Sequence, residues 1–358
     1  MKNKKVYLSA SRIKTAQQCS WTYWCKYILK LPDKSNDGAS KGSICHLIFE
    51  VLGKKGRKKY VNKIIKSKTA NCILSVSRLI QKHAIRLNVS DTENMEDIDR
   101  MIVNGLSYDF EGKDYGKQDK AFSEKEFNLT VDESGKKYNI RGFIDKLFLY
   151  SDKKAIIRDF KSSKQKFKGK EITDNMQDLM YCLAVKKLYP EYKGLSEFLF
   201  LKFDLEKDML GMPGGGVIRM AELSDDMLEG FEYELSSIQN TLSNFSHEDA
   251  ISNFAAKQGY PKDGTFGGPL ACGKDGFKMK KGEKVLDGQG KPVKAFICAF
   301  RKPFEYSVLL DKEGAIKKSV YIEDESELYE SKKENETIEK RSYSGCPHWQ
   351  AKNIPFEL

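Results

Sequence analysis

Apolar and polar positions alternate most clearly between Ala121 and Lys161. The stretch FSEKEFNLTVDESGKKYNIRGFID has period-two patterning around Asp132-Glu133-Ser134-Gly135, a turn signal, and predicts strands on both sides of it. Two further runs follow. Phe143-Ile144-Asp145-Lys146-Leu147-Phe148-Leu149-Tyr150 and Ala155-Ile156-Ile157-Arg158-Asp159-Phe160-Lys161 are separated by the polar tetrad Ser151-Asp152-Lys153-Lys154. This pattern predicts an antiparallel hairpin. SEFLFLKFDL at 196–205 predicts another strand.

Three- and four-residue spacing elsewhere predicts helices. Residues 8–30 place Ile13, Ala16, Cys19 or Ser20, Tyr23 and Tyr27 on one stripe, with Ser9 or Ser11 as N-cap and Leu31-Pro32 as the stop. Residues 33–42 read as a polar loop, after which GSICHLIFEVLGKKG opens a helix with His46 and Glu50 four apart. The acidic segment at 91–99 marks another helix start. A helix beginning near Asp174 or Asn175 carries Gln177 and Tyr181 on one face and runs to Tyr189-Pro190. Residues 222–245 predict an amphipathic helix striped by Met227, Phe231, Leu235, Ile238 and Leu242. GMPGGG has no GK[ST] and no following helix start, so it reads as a flexible loop rather than a phosphate loop. Helices, a run of strands, a helix and a strand together predict an α/β core with helical decoration.

After Asp249 the pattern changes. Gly and Lys dominate 259–294, short strands follow in AFICAF, FEYSVLLD and AIKKSVYI, and DESELYESKKENETIEKR reads as an exposed helix or a solvated tail. The expected division is therefore residues 1–250 and a C-terminal extension at 251–358. The extension is poor in large apolar residues over its first half and is expected to lean on the first domain or on a metal staple.

Charge narrows the partners. The 358 residues are 40% hydrophobic and 32% charged, with a net charge of +11 and a pI of about 9.0. Such an excess favours nucleic acid or an anionic membrane surface. No apolar run approaches the roughly 18 residues of a membrane span, and the basic N-terminus has no apolar signal region behind it. The expected location is cytoplasmic, with no membrane partner. From Lys54 to Lys68 there are eight Lys or Arg and no acid. This is either a solvated helix face or a patch that tracks phosphates. With no export signal, the eight cysteines do not suggest a disulfide framework. They are buried apolar residues or metal ligands.

The strand pattern also carries chemistry. Pairing the two runs brings Asp145 and Asp159 together, and Lys161 shares a face with Asp159. Two acids and the Phe160 carbonyl offer oxygens to a hard divalent cation, while Lys161 can orient water or offset charge on a phosphate. Without a cation, the facing acids would repel. The plain alternative is a salt bridge between Lys161 and Asp159. His46, on an apolar helix, is by itself more often a satisfied core residue than a ligand.

Gly42-Ser43-Ile44-Cys45-His46, Gly142-Phe143-Ile144-Asp145, Asp159-Phe160-Lys161 and Gln177-Asp178-Leu179-Met180-Tyr181 occur in this order. Together they resemble the PD-(D/E)XK nuclease superfamily, and within it the RecB-type branch of RecB and AddB nuclease domains, CRISPR-associated RecB-like exonucleases and phage exonucleases. The resemblance covers residues 8–205. It implies a restriction-endonuclease-like core. It implies metal binding by His46, Asp145, Asp159 and the Phe160 carbonyl, with Lys161 as the catalytic lysine. Gln177 and Tyr181 match the pair that contacts DNA and orders the site. Glu124 or Glu126 stands where many members carry an acid on the preceding strand.

A subset of this branch holds a [4Fe-4S] cluster, with one cysteine from the N-terminal helix and three from beyond the core. By that resemblance Cys19, Cys272, Cys298 and Cys346 are the candidate ligands. The last three are spread more widely here than in the family. A structural Zn2+ at Cys272, Cys298, Cys346 and His348, or no metal, remain the alternatives. The expectation is a Mg2+- or Mn2+-dependent DNA exonuclease, indifferent to base sequence, acting in recombination, repair or replication processing. A helicase or recombination protein is a conceivable partner. The runner-up is a nonenzymatic DNA-binding accessory protein with a nuclease-like core, and RNA as substrate is not excluded by charge.

Overall fold

The two-residue turn Ser134-Gly135 sets the register of the longest hairpin. Both residues have positive φ, 50° and 77°, the backbone that a tight hairpin turn demands. In the computed structural model, which describes residues 5–33, 36–253, 277, 279–280, 282–286, 292 and 298–347, this turn joins β1 (Gln118–Glu133) to β2 (Lys136–Tyr150). The tetrad at 151–154 then turns β2 into β3 (Lys154–Lys161), antiparallel as the patterning predicts. β4 (Lys193–Phe200) lies parallel to β3, and β5 (Val217–Arg219) closes the sheet antiparallel to β4. The sheet order is β1-β2-β3-β4-β5.

The described chain divides into two compact units, residues 1–10 with 35–243, and residues 11–34 with 244–358. Helices α1 (Ala10–Gln18) and α2 (Ser20–Tyr23) come first in the chain, but all of their residues after Ala10 belong to the second unit. In the first unit, α3 (Asp37–Leu52), α4 (Lys58–Ser67), α5 (Leu74–Arg86) and α6 (Thr92–Ser107) share one apolar core with the sheet. Ile44, Ile48 and Phe49 of α3 meet Ile98, Met101 and Ile102 of α6 there, together with Phe160 and Leu199 from the sheet. α3 begins at Asp37, inside the stretch expected to be loop, because the Asn36 side chain accepts the Ala39 N–H at 3.0 Å and caps it.

α7 (Lys170–Thr173) and α8 (Met176–Leu188) form the crossover between the parallel strands β3 and β4, as such pairs require. Asn175 caps α8 by accepting the N–H groups of Gln177 and Asp178. α9 (Asp225–Ser243) packs on β2, where Tyr138 donates to Glu232 at 2.5 Å and Asn139 N–H donates to Gln239 at 2.9 Å. Phe231, Leu235 and Leu242 are buried as expected. Met227 is 48% exposed, and Leu228, one position on, takes its place. The buried stripe thus leans toward Leu228, Glu232 and Gln239, which the apolar pattern alone does not reveal because two of the three are polar.

In the second unit, β6 (Met279–Lys280) and β7 (Glu283–Lys284) form a short ribbon. β8 (Phe304–Leu310), β9 (Ile316–Tyr321) and β10 (Thr337–Tyr343) form an antiparallel sheet in the order β10-β8-β9. The charged run expected as helix or tail is a short helix, α11 (Ser326–Ser331), followed by β10. β10 is an edge strand, where Glu339, Lys340 and Arg341 can face water, so its charge disguises it. Trp21 and Cys25 pack with α10 (His247–Asn253) and this sheet around Phe300, Tyr306 and Tyr343. Trp21 Nε1 donates to Tyr343 Oη at 2.7 Å, and that hydroxyl donates to the Phe300 carbonyl at 2.8 Å. Among the described residues, no helix is long and apolar enough to cross a membrane.

Candidate active site

β2 and β3 bring the two acids together at the end of the paired stretch. Lys146 and Arg158 are the last register partners, so Asp145 and Asp159 stand one step beyond them. Asp145 is anchored by the Phe160 N–H, which donates to its Oδ2 at 2.7 Å. Asp159 Oδ1 accepts from Gln177 Nε2 at 2.7 Å and from the Tyr181 hydroxyl at 3.1 Å. Gln177 and Tyr181 lie one turn apart on α8 and are joined by a 2.6 Å hydrogen bond, so the helix holds this carboxylate at two points.

Lys161 Nζ donates to Gln177 Oε1 at 2.7 Å and lies 2.6 Å from Asp159 Oδ2. The salt bridge that patterning offers as the plain alternative therefore exists, inside a larger constellation. It does not satisfy the carboxylate fully: Asp159 Oδ2 is buried and accepts no well-aligned hydrogen bond.

His46 enters from α3. Its Nε2 is 3.1 Å from the Phe160 carbonyl, and its Nδ1 is 3.2 Å from Asp145 Oδ1 and 3.9 Å from Glu124 Oε1. Burial opposes a charge on this ring. The hydrogen bonds to Asp145 and Glu124 and the charges of Asp145 and Asp159 outweigh burial and push the His46 pKa up to about 10. Burial, and then the charge of Asp159, hold the Asp145 carboxyl above its ordinary range. Burial followed by the charges of Asp159 and Asp145 raises the Tyr181 hydroxyl well above its usual value, so it remains a donor.

The donor set fits a hard divalent cation. Ligand atoms of His46, Glu124 and Asp145 all lie within 4.8 Å of one another, the Phe160 carbonyl is 3.1 Å from His46, and the Asp159 carboxylate is near enough for its charge to act on Asp145. A cation there would neutralise a cluster of acids that otherwise shares the His46 and Lys161 charges. Glu124 was one of two candidates in the sequence, and the register chooses between them. Asp145 is ten residues past Gly135, and Glu124 is ten residues before Ser134, so the hairpin sets them opposite each other. Glu126 is exposed, whereas Glu124 has a left-handed backbone, with φ of 50° in mid-strand. Such strain in a non-glycine residue is held by its surroundings and concentrates at functional sites.

Two motif glycines are explained by contact. A Cβ on Gly142 would sit 2.5 Å from Phe127 Cζ, and one on Gly42 would sit 2.5 Å from Ser162 Oγ. Glycine at these positions lets β2 pass Phe127 and lets α3 approach the chain just after Lys161. Beside Lys161 opens a cavity of about 880 Å3, lined by the start of α3 and by Lys41, Lys164 and Lys202 among others.

The cysteine candidates fall in the second unit. Cys19 marks the break between α1 and α2, and Cys19, Cys298 and Cys346 pack on the same apolar cluster as buried Cys25. Burial pushes the Cys25 thiol up to about 12, and burial also raises Cys298, with Cys19 and Cys346 close enough to add to that rise. Cys272 and His348 lie outside the described residues.

The family model described as the PD-(D/E)XK nuclease superfamily matches residues 7–253. Among solved structures, the chain is similar to one titled "Crystal structure of SSO0001", at 17% identity and a TM-score of 0.25, over 53% of this chain and 86% of that one. No curated protein matches the sequence.

Proposed function

Because the chain belongs to the PD-(D/E)XK nuclease superfamily, we propose that it is a Mg2+- or Mn2+-dependent DNA exonuclease of the RecB type, working in recombination, repair or replication processing. The observation that carries this reading is the convergence of His46, Glu124, Asp145, Asp159 and the Phe160 carbonyl beside Lys161. His46, Glu124, Asp145, Asp159 and the Phe160 carbonyl would hold the cation, which supplies Lewis acidity toward water and phosphate.

The chain's own groups do the positioning. Gln177 and Tyr181 fix the plane of the Asp159 carboxylate, and the Phe160 N–H fixes Asp145. Lys161 has three N–H donors. Two are directed to Gln177 and Asp159, leaving one for the attacking water or a non-bridging phosphate oxygen. A positive charge placed before the reaction, in a site of buried side chains, stabilises charge that develops on the phosphate. The cavity beside Lys161 is lined by Lys41, Lys164 and Lys202, which suit a phosphate backbone. The net charge of +11 supports binding to the phosphate backbone irrespective of sequence.

The second unit, with α1 and α2, is proposed to carry a [4Fe-4S] cluster on Cys19, Cys298, Cys346 and Cys272. Three of these thiols pack against one apolar cluster, which is the support for this assignment. A Cys3His zinc site including His348 is the alternative metal.

The deciding experiment is digestion of linear single- and double-stranded DNA, and of closed circular DNA, with and without Mg2+ or Mn2+. Metal-dependent loss of linear substrate, abolished in Asp159→Ala and in Lys161→Ala with circles spared, is the expected result. Full activity in either variant would sink the site assignment, and rapid cutting of circles would sink the exonuclease assignment. Binding without cleavage would point to the nonenzymatic accessory protein.

A further inference from the structure

A second pocket lies on the same unit, behind the candidate centre, and is built around a lysine that makes no ion pair among the described residues. Lys146 follows Asp145 on β2, so its side chain leaves the opposite face of the strand. It is only 5% exposed. Among the described residues its ammonium makes no hydrogen bond and no ion pair. It sits over the ring of Phe110, whose centroid lies 3.7 Å from Nζ. The ring attracts the charge but cannot accept the three N–H groups as oxygens would. The side chain lines a cavity, so an anion or water entering that cavity can supply the missing acceptor. Neither register partner of Lys146 is an acid: it stands opposite Ser123 on β1 and Arg158 on β3, whose guanidinium is spent on Glu197 and Asp109.

The cavity that Lys146 lines measures about 270 Å3. Lys54, Lys55, Lys58 and Lys113 also line it, against a single acid, Glu111. Glu111 is itself engaged, 3.0 Å from Lys58 and 2.9 Å from Lys113. Lys54 pairs with Glu50 at 3.2 Å. Three of the rim lysines come from the basic run that opens at Lys54, so that run ends in a pocket as well as a solvated helix face. Gly53 keeps the space open: a Cβ there would lie 2.8 Å from Lys146 Nζ and 2.2 Å from Ser123 Oγ.

We propose that this pocket binds a phosphate group of a nucleic-acid backbone, with Lys146 as its innermost donor and Lys55, Lys58 and Lys113 at its rim. Five lysines around one cavity match a tetrahedral dianion or a phosphodiester better than a carboxylate, which a single lysine satisfies. The pocket stands in register with the candidate centre. Ser123 and Lys146 each adjoin one of its acids, Glu124 and Asp145, and Gly53 follows His46 by seven helical residues, about 10 Å. A phosphate held here would fix the strand a short way from the bond to be cut. The source of the phosphate rests on the nuclease reading, whereas the pocket does not.

The test uses the full chain and two probes, inorganic phosphate and an oligonucleotide, with Lys146→Met as the variant. Inorganic phosphate is expected to raise the melting temperature of the wild type and to lose at least half of that effect in Lys146→Met. Oligonucleotide affinity, measured without divalent metal, is expected to fall about tenfold at low salt, and the slope of log affinity against log salt is expected to decrease by about 1. A lysine buried for structural reasons alone would leave that slope unchanged. Should Lys146→Met fail to fold, the rim double variant Lys55→Gln/Lys113→Gln is expected to lose the phosphate effect in the same way. Phosphate protection with an unaltered slope would overturn the nucleic-acid source. No phosphate protection of the wild type, with an unaltered slope, would overturn the pocket. Protection and slope as expected in a protein that cleaves no DNA would support the pocket while removing the nuclease reading.

Discussion

Phe127 lies against the α-carbon of Gly142, and the edge of the same ring meets Tyr181, their centroids 6.2 Å apart. Gly142, Phe127 and Tyr181 thus form a stack that ends at the Tyr181 hydroxyl on Asp159. Gly142→Ala is expected to cost about 1–3 kcal/mol through overpacking, and to lower the cleavage rate by displacing Tyr181. Adding Phe127→Leu should restore part of both, which thermal melting and single-turnover cleavage will read.

Tyr181→Phe removes one of the two donors on Asp159 Oδ1 and leaves Gln177 in place. The expected outcome is a fall in kcat of roughly tenfold, about 1.4 kcal/mol of transition-state stabilisation, with little change in KM. An equal rise in KM would place Tyr181 on the substrate instead of on the carboxylate.

Glu124→Gln should raise the Mg2+ or Mn2+ concentration needed for half-maximal cleavage, by about tenfold if one ligand charge is lost, a single-ligand cost on the order of 1.4 kcal/mol. Glu126→Gln, at an exposed position two residues away, should leave the titration unchanged. Equal effects from both substitutions would mean that the hairpin register does not select the ligand.

Acid stability is expected to depend on Asp97. Burial alone would raise this carboxyl, but hydrogen bonds from Lys41 and Lys202 hold it at about 2. A carboxyl with a depressed folded pKa stabilises the fold above its unfolded value of about 4, and that contribution is lost as pH falls toward the folded value. Wild type should therefore exceed Asp97→Asn in stability at neutral pH. The gap should close between about pH 4 and pH 2, as followed by denaturant melts across that range.

The proposed cluster predicts brown protein with broad visible absorbance, lost in Cys19→Ser and Cys346→Ser. Colourless protein with one zinc per chain would assign the alternative site, and metal-free protein would leave the three thiols as packing residues.

Local pattern alone made much of the first unit legible. The β2–β3 hairpin, the helix carrying Gln177 and Tyr181, and the acid, acid and lysine on neighbouring strands all follow from period two, period 3.6 and turn chemistry, which act over a few residues. Where the pattern failed, a neighbour distant in sequence decided. β10 looks like a tail because its charges suit an edge strand, and only β8 beside it makes it a strand. Met227 yields to Leu228 because α9 turns Glu232 and Gln239 inward to meet Tyr138 and Asn139.

The site divides in the same way. Residue type and spacing determined Asp145, Asp159 and Lys161, since side chains two apart on a strand share a face whatever the rest of the chain does. Tertiary structure decided that His46 reaches both Asp145 and the Phe160 carbonyl, that Glu124 rather than Glu126 joins them, and that Lys146 ends in a pocket lined by four further lysines. Each of these depends on distances between segments tens of residues apart, which are set by helix packing and strand register and leave no local periodicity to read.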